Sequence, residues 1–302
     1  MTDVTRPGPI GFRISANSPA PDWQTLDGVW AAAGESGAFD AGWMSDHLAD
    51  VSRSRGGPAF EAVAAAGALA HRVAGMWIGV AVFANTFRHP AVLAKAATVL
   101  DNATGGRFVV GIGAGWHAGE HEAFGLTLGA PKERVDRLAS SLQVLTALFS
   151  DAAALSPGVT LDDPYYPLRG ATLEPSPVRA GGPPIWLGGQ GPRGLALAVR
   201  HAEGWPMPGN RPGDVAYFAE KSARLRVMLE AAGRDPAGFT FAAQVECHTG
   251  SSGTRADLEL ARSFVAAGAN HVILALPAAA GAEGVSRVAR NIARPLREDL
   301  GK

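Results

Sequence analysis

Asp46 and His47 stand side by side where the apolar run FDAGWM, residues 39–44, ends. An imidazole titrates near neutrality and a carboxylate can orient it, so the pair suits general acid–base chemistry. The same two residues also suit a helix cap beside an exposed ring. The segment HAGEHEAFG supplies His117, Glu120, His121 and Glu122. His117 and His121 are four apart and could share a metal. The pattern is not H-E-x-x-H, however, and Gly119 weakens a helix there. No metal is expected, and Glu120 is the residue suited to a buried role.

Two glycine-rich stretches follow apolar runs. In PIWLGGQGPRG the chain passes through Gly188, Gly189, Gln190 and Gly191, and Pro192 then opens a helix. Backbone N–H groups at a helix start attract an anion such as phosphate, and Arg193 adds charge. GIGAGW places Gly111, Gly113 and Gly115 in a row, but Trp116 stands where a dinucleotide fingerprint needs its third glycine. The better reading is a tight loop that lets backbone approach a ligand. There is no G-x-S-x-G elbow. Cys247, in the strand-like AAQVECHTG, reads as a buried small hydrophobe. Lys95 lies inside a helical pattern, which gives a Schiff-base lysine little support.

The elements that must position these groups alternate between two kinds. Strands are expected at 10–15, 41–45, 75–84, 107–113, 184–189, 204–209, 239–248 and 271–277. Helices are expected at 23–35, 59–73, from Pro90, at 134–149, 192–200, 213–232, 254–267 and 283–299. GMWIGVAVFA is nearly all apolar, as in a parallel strand covered on both faces. Eight strands alternating with helices favour an α/β chain closed into a (β/α)8 TIM barrel, here one domain over residues 1–302. A proline-rich insertion at 151–182, after the fourth strand and its helices, is too long for an ordinary connector and is expected to be functional or a lid. In such a barrel, chemistry sits at the C-terminal ends of the strands. Asp46–His47, ANTF, GAGW, GGQGP and PMPG all fall there, which moves Asp46–His47 from surface turn to active-site rim.

Bulk composition narrows the partners. With 302 residues, 47% apolar content and a net charge of −1, nothing favours nucleic acid or an anionic membrane. One cysteine excludes an internal disulfide and fits a reducing compartment. The N-terminus lacks a signal-peptide layout and no apolar run is long enough to span a bilayer, so a cytoplasmic protein with a small-molecule substrate is expected.

Taken together, FDAGWMSDHL, FRHPAVLAKAATVLDNATGGRFVVGIGAGWHAGEHEAFG and PPIWLGGQGPRGLALAVRHAEGW resemble the luciferase-like monooxygenase superfamily. More narrowly they resemble its deazaflavin (coenzyme F420)-dependent oxidoreductase branch, in order from about residue 10 to 210, with a looser last third. The resemblance implies a flavin or deazaflavin in the barrel mouth and hydride transfer to a small organic substrate. It implies that Asp46 touches the ring region and orients the site, while His47 positions substrate or passes a proton. It places a bulge, which in family members often carries a non-prolyl cis peptide, in the third strand near Ala81, Val82, Phe83 and Ala84, behind the ring. Gly188, Gly189, Gln190 and Gly191 match its phosphate cradle, and Gly119 and Glu120 match a cofactor-lining segment. Met207 is expected beside the cofactor, with Trp43, Trp116 and His117 around the substrate. Some sugar-phosphate-oxidising relatives carry a glutamate where Trp116 stands, which argues against carrying over their substrate. Alternatives are an FMN-dependent monooxygenase using reduced flavin and oxygen, a binding protein without turnover, and a metal-dependent hydrolase built on His117 and His121. A homodimer is compatible with the family.

Overall fold

The computed structural model describes residues 6–15, 19–51, 57–248 and 251–300. In chain order the elements are β1 (Ile10–Ile14), α1 (Trp23–Ser36), β2 (Ala41–Met44), α2 (Ala62–Leu69), β3 (Trp77–Ala84), α3 (Pro90–Thr104) and β4 (Phe108–Gly113). Then come α4 (Ala118–Ala123), α5 (Pro131–Leu148) and a small hairpin, β5 (Val159–Leu161) and β6 (Leu168–Ala171). The rest is β7 (Ile185–Gly188), α6 (Pro192–His201), β8 (Gly204–Pro206), α7 (Val215–Ala231), β9 (Thr240–Glu246), α8 (Ser251–Ala266), β10 (His271–Leu276), α9 (Gly281–Val288) and α10 (Arg294–Leu300). All strands but β5 and β6 form one closed parallel barrel in the order β1-β10-β9-β8-β7-β4-β3-β2. Closure rests on β1 pairing β10 over five residues, Ile10↔Val272 to Ile14↔Leu276, and pairing β2 on its other edge. The expected (β/α)8 barrel is therefore present. Among the described residues, no helix is long and apolar enough to cross a membrane.

Element ends follow local chemistry. Asp22 accepts from Thr25 N at 2.7 Å to start α1, and Gly37 at φ 61° ends it. Pro90 occupies the first turn of α3, where a missing N–H costs nothing, and Gly105 at φ 63° ends it. The helix expected at 59–73 begins at Ala62, where Glu61 accepts from Ala64 N at 2.7 Å; its last turn, Ala70–Val73, is 3-10. The helix expected at 283–299 is broken into α9 and α10 by a π turn, Ala289–Ala293.

Along each strand, side chains alternate between the helices and the barrel interior. The interior divides into two zones. Its floor is a dry cluster containing Trp43, Trp77, Val109, Trp186, Ala242 and Ile273. Trp43 and Trp186 stack with centroids 4.4 Å apart, and the His271 ring stands edge-on to both at 5.5 and 5.4 Å. Glycines on neighbouring strands make room. A Cβ at Gly11 would lie 2.7 Å from His271 Nε2, and one at Gly204 would lie 2.6 Å from Trp186 Cδ1. His271 donates from Nδ1 to Gly8 O at 2.6 Å and accepts from Trp43 Nε1 at 2.9 Å, so both ring nitrogens are satisfied in the neutral form. Burial pushes its pKa down to about 4.

The insertion at 151–182 is not a lid. It joins the end of α5 to the start of β7, and so leaves from the barrel end opposite the mouth. It packs outside, in the groove between α3 and α5. The Tyr166 ring stands 5.1 Å from His89, and the Arg137 guanidinium lies 4.9 Å over Tyr165. Asp101 of α3 accepts from Val178 N at 2.8 Å, and Lys95 donates to Glu174 O. That outward bond leaves Lys95 far from chemistry.

Candidate active site

The C-terminal ends of the barrel strands surround an open cavity with about 1770 Å³ of empty space, counted out to bulk solvent. Arg13, Ser45, Asp46, His47, Ala81, Val82, Ala84, Gly113, Trp116, His117, Glu120, Gly188, Gly189, Gln190, Met207 and Gln244 are among its walls. Most expected site residues thus meet in one place, although they are spread over more than 160 positions of sequence. Three do not. Gly119 is exposed on the first turn of α4, Gly191 is the exposed residue preceding α6, and neither lines the cavity. Trp43 is 1% exposed in the floor; it borders only a smaller apolar side pocket beside α1. None of residues 151–182 touches the cavity.

The backing of the cavity is the third strand. The β3–β4 pairing slips between Val80 and Phe83, so that Ala81, Val82 and Ala84 all reach the cavity. The Ala81–Val82 peptide is cis, at the position the family resemblance implied. This bulge explains the glycines of GIGAGW. The carbonyl of Val80 and the side chain of Val82 press on Gly111, and a Cβ at Gly113 would lie 2.9 Å from Val82 Cγ2. Gly115 adopts φ 80° against Thr86. Nothing in that pattern is reserved for a nucleotide.

Asp46 and His47 are adjacent in sequence but do different things. Asp46 follows β2 with its side chain 1% exposed. One oxygen accepts from Ala84 N at 2.8 Å, and the Arg88 guanidinium binds both oxygens at 2.7 and 2.8 Å. A carboxylate held this way fixes the end of β3 against β2. His47 instead meets Glu120 of α4, with Nδ1 3.2 Å from Oε2. The other Glu120 oxygen accepts from Leu48 N and from Ala49 N at 3.2 Å. Burial works against ionising Glu120, but the His47 hydrogen bond and charge and these two N–H groups outweigh it and hold its pKa below the ordinary glutamate value. An ionised carboxylate can only accept, so the His47 proton resides on Nδ1. Nε2 has no partner among the described residues, and in the neutral ring it is the nitrogen that carries the lone pair.

His117 and His121 are committed elsewhere. His117 caps α4, its Nδ1 accepting from Glu120 N at 3.0 Å. His121 donates from Nδ1 to His117 O and accepts at Nε2 from Thr86 Oγ1, both at 2.7 Å. These contacts place both rings as struts that aim Glu120, and use the lone pairs a metal would need. Among the described residues no cluster of three metal-ligating side chains occurs. Trp116, 64% exposed, forms an outer wall with its ring 6.1 Å from His47. Cys247 is buried, and burial pushes its thiol pKa well up, as suits an inert hydrophobe.

At the far wall, Trp205 Nε1 donates to Gly189 O at 2.8 Å and Tyr217 OH donates to Gln190 Oε1 at 2.7 Å, which fixes the loop before α6. No side chain caps α6, so its first N–H groups remain open to an anion. Gly189 is required by packing as well, since a Cβ there would lie 3.1 Å from Gly194 Cα. Arg193 is turned away, paired with Asp136.

Comparison with known proteins agrees with this geometry. The model of the luciferase-like monooxygenase family matches residues 16–299. The chain belongs to that family. It is 30% identical over 279 residues to a phthiodiolone/phenolphthiodiolone dimycocerosates ketoreductase of Mycobacterium sp. (strain JLS), covering 84% of this chain and 70% of that one. It is 33% identical over 204 residues to an F420-dependent glucose-6-phosphate dehydrogenase of Microbacterium testaceum, covering 67% and 57% of the two chains. Among solved structures it superposes on the coenzyme F420-dependent tetrahydromethanopterin reductase of Methanopyrus kandleri with a TM-score of 0.76, at 14% identity, covering 96% and 99%. That likeness concerns the fold. Members of the luciferase-like family are oxidoreductases and monooxygenases, and the barrel described here is their shared scaffold.

Sequence reasoning missed three participants: Arg88, which pairs with Asp46, and Arg13 and Gln244, which face the cavity from β1 and β9. Glu120 was marked for burial by its segment, but its partner lies 73 residues away and only the fold joins them.

Proposed function

We propose that this protein is an oxidoreductase that transfers a hydride between coenzyme F420 and a small organic substrate bound in the barrel mouth. The observation that carries the reading is His47 in the cavity wall, its Nδ1 held by Glu120 and its Nε2 without a partner among the described residues, in the same cavity as the bulge of the adjoining β3 and the Gly188–Gln190 loop. The residues fit a flat tricyclic ligand with a phosphate. The cavity is large, the bulge offers it an apolar backing, and Ser45 Oγ is buried there without a partner among the described residues. Ala81, Val82 and Ala84 would back the ring, and Gly188, Gly189 and Gln190 would take the phosphate beside the open start of α6. Deazaflavin, when bound, supplies a ring carbon that gives or accepts hydride.

The protein's own contribution is positioning and proton management. His47 Nε2 accepts a proton from a substrate hydroxyl during oxidation, or returns it to the oxygen during reduction. Glu120 keeps the ring in the required tautomer and stabilises the imidazolium that forms. Asp46 and Arg88 hold the β2 and β3 ends in register, and Trp116 and Met207 exclude water from two sides. The F420-dependent relative supports deazaflavin over FMN.

Titration of purified protein with F420 and with FMN, each oxidised and reduced, tests the reading by fluorescence. Tight binding of F420 alone is expected. Preference for reduced FMN would move the protein to oxygen-dependent monooxygenation. Binding without turnover of any reductant would make it a carrier.

A further inference from the structure

Among the described residues, Arg13 is the one arginine or lysine that lines the mouth. It sits near the end of β1, where Gly11 and Arg13 face inward and Phe12 packs outward against Trp30. It is 5% exposed and lines the cavity. Its guanidinium makes no hydrogen bond to any described residue and no ion pair, and its Nε is fully buried without an acceptor. The register places Arg13, Ala275 and Glu246 in one row across β1, β10 and β9. Ala275 is too small to intervene, so Glu246 acts on Arg13 through space only. Glu246 also accepts from Gln244 Nε2 at 3.0 Å, which ties up one of its oxygens. Burial lowers the Arg13 pKa by more than Glu246 restores it, so the cation is under-compensated where it stands. A buried guanidinium without acceptors is costly and is kept only where something else supplies them. The floor a few residues below shows the contrast, since there His271 and Trp43 are matched to each other.

We infer that Arg13 is a carboxylate-binding subsite, and that the substrate of this enzyme carries an acidic group held there while its reacting carbon faces the cofactor. A planar fork of N–H donors pairs with a carboxylate through two parallel bonds, a geometry no neutral carbonyl fills as completely. The position supports the substrate rather than the cofactor. Arg13 lies on β1, whereas the phosphate loop lies between β7 and α6, four strands away on the opposite side of the barrel. The terminal nitrogen of Arg13 reaches toward the β8 end, 4.0 Å from where a Cβ on Gly209 would be. This assignment rests on the mouth being the ligand site proposed above, and it names the substrate class.

The test compares matched pairs, benzoate with benzamide and hexanoate with hexanamide, by calorimetric titration of the full-length protein with and without F420. Each acid should bind about tenfold or more tightly than its amide, because a charge-assisted bidentate contact is replaced by a neutral one. Arg13→Gln should remove that preference and leave amide binding within about twofold, while Arg13→Lys, which keeps the charge and loses the fork, should retain part of it. F420 affinity should be unchanged in both variants, which also shows that they are folded. Equal binding of acid and amide by the natural protein, or no saturable binding of either acid, overturns the proposal before any variant is made. Displacement of the acids by F420 would assign Arg13 to the cofactor and overturn the substrate reading. Failure of F420 to bind while the acids still bind would instead count against the hydride-transfer reading and leave the subsite standing.

Discussion

The floor and the mouth of this barrel are built from the same eight strands, often from residues two apart. In the floor, Trp43 and Trp186 lie ring against ring, His271 stands edge-on to both, and His271 meets a partner at each nitrogen. One or two residues further along the strands, Arg13, Ser45 and Gln244 point into open space, and Arg13 Nε and Ser45 Oγ have no partner among the described residues. The Trp43–His271 pair of the floor is satisfied without a ligand, although Trp77 Nε1 beside it lacks a partner among the described residues; in the mouth the unpartnered atoms face open space. A barrel can afford this division because closure and burial are secured below, where large rings fill the interior against glycines.

The comparison can be broken at either end. The largest effect is expected for Trp43→Ala, which opens a cavity in the floor and orphans His271 Nε2. It should cost about 3–5 kcal/mol of stability by denaturant titration, with F420 affinity retained in the folded fraction. A comparable loss of F420 affinity would place Trp43 in the mouth after all. His47→Ala should do the reverse. Turnover should fall by about 10²–10⁴-fold, with little change in melting temperature. Glu120→Gln keeps an acceptor for the Leu48 and Ala49 N–H groups but can present a donor to His47. It should cost about tenfold or more in turnover and alter the pH–rate profile, which a purely structural role for Glu120 would leave unmoved.

Acid should act on the floor. Burial depresses His271 to about 4 from its ordinary 6.5. The unfolded chain therefore takes up this proton first, and the stability held above pH 6.5 is lost as pH falls toward 4, to a total of about 3 kcal/mol. In His271→Leu this part of the pH dependence should vanish, at the cost of a lower starting stability because Trp43 Nε1 and Gly8 O lose their partner. The smallest effect is expected on the outer wall. Tyr166→Ala should cost about 1–2 kcal/mol and leave F420 affinity within about twofold, whereas a lid would have weakened binding.

Much of the barrel was legible along the chain. All eight barrel strands fall within three residues of their expected ends, because apolar runs bounded by glycine, proline and caps are local signals. The gathering of SDHL, GAGW and GGQG at one mouth followed from strand polarity alone. The roles within the site were less legible. Asp46 next to His47 suggested a pair, but residues adjacent at a strand end point in different directions, and each took a partner from elsewhere, Arg88 and Glu120. Trp43 was expected in the mouth as an apolar wall around the substrate, yet it lies in the floor. Four positions along a strand carry a side chain more than 10 Å, roughly the depth that separates floor from mouth. The 151–182 insertion was expected over the site on length and proline content, which say nothing about the end of the barrel from which a segment leaves.

Periodicity, caps and turn residues by themselves determined the number, type and order of the elements, and with them a closed α/β barrel whose polar, glycine-rich ends lie at one mouth. These are short-range properties, carried by residues a few positions apart. Tertiary structure alone decided which carboxylate orients His47, which cation neutralises Asp46, why Gly111 and Gly113 must lack side chains, and that Arg13 is left facing the cavity without an acceptor. Those contacts join residues tens of positions apart, or depend on an unfilled space, and neither is written in local sequence.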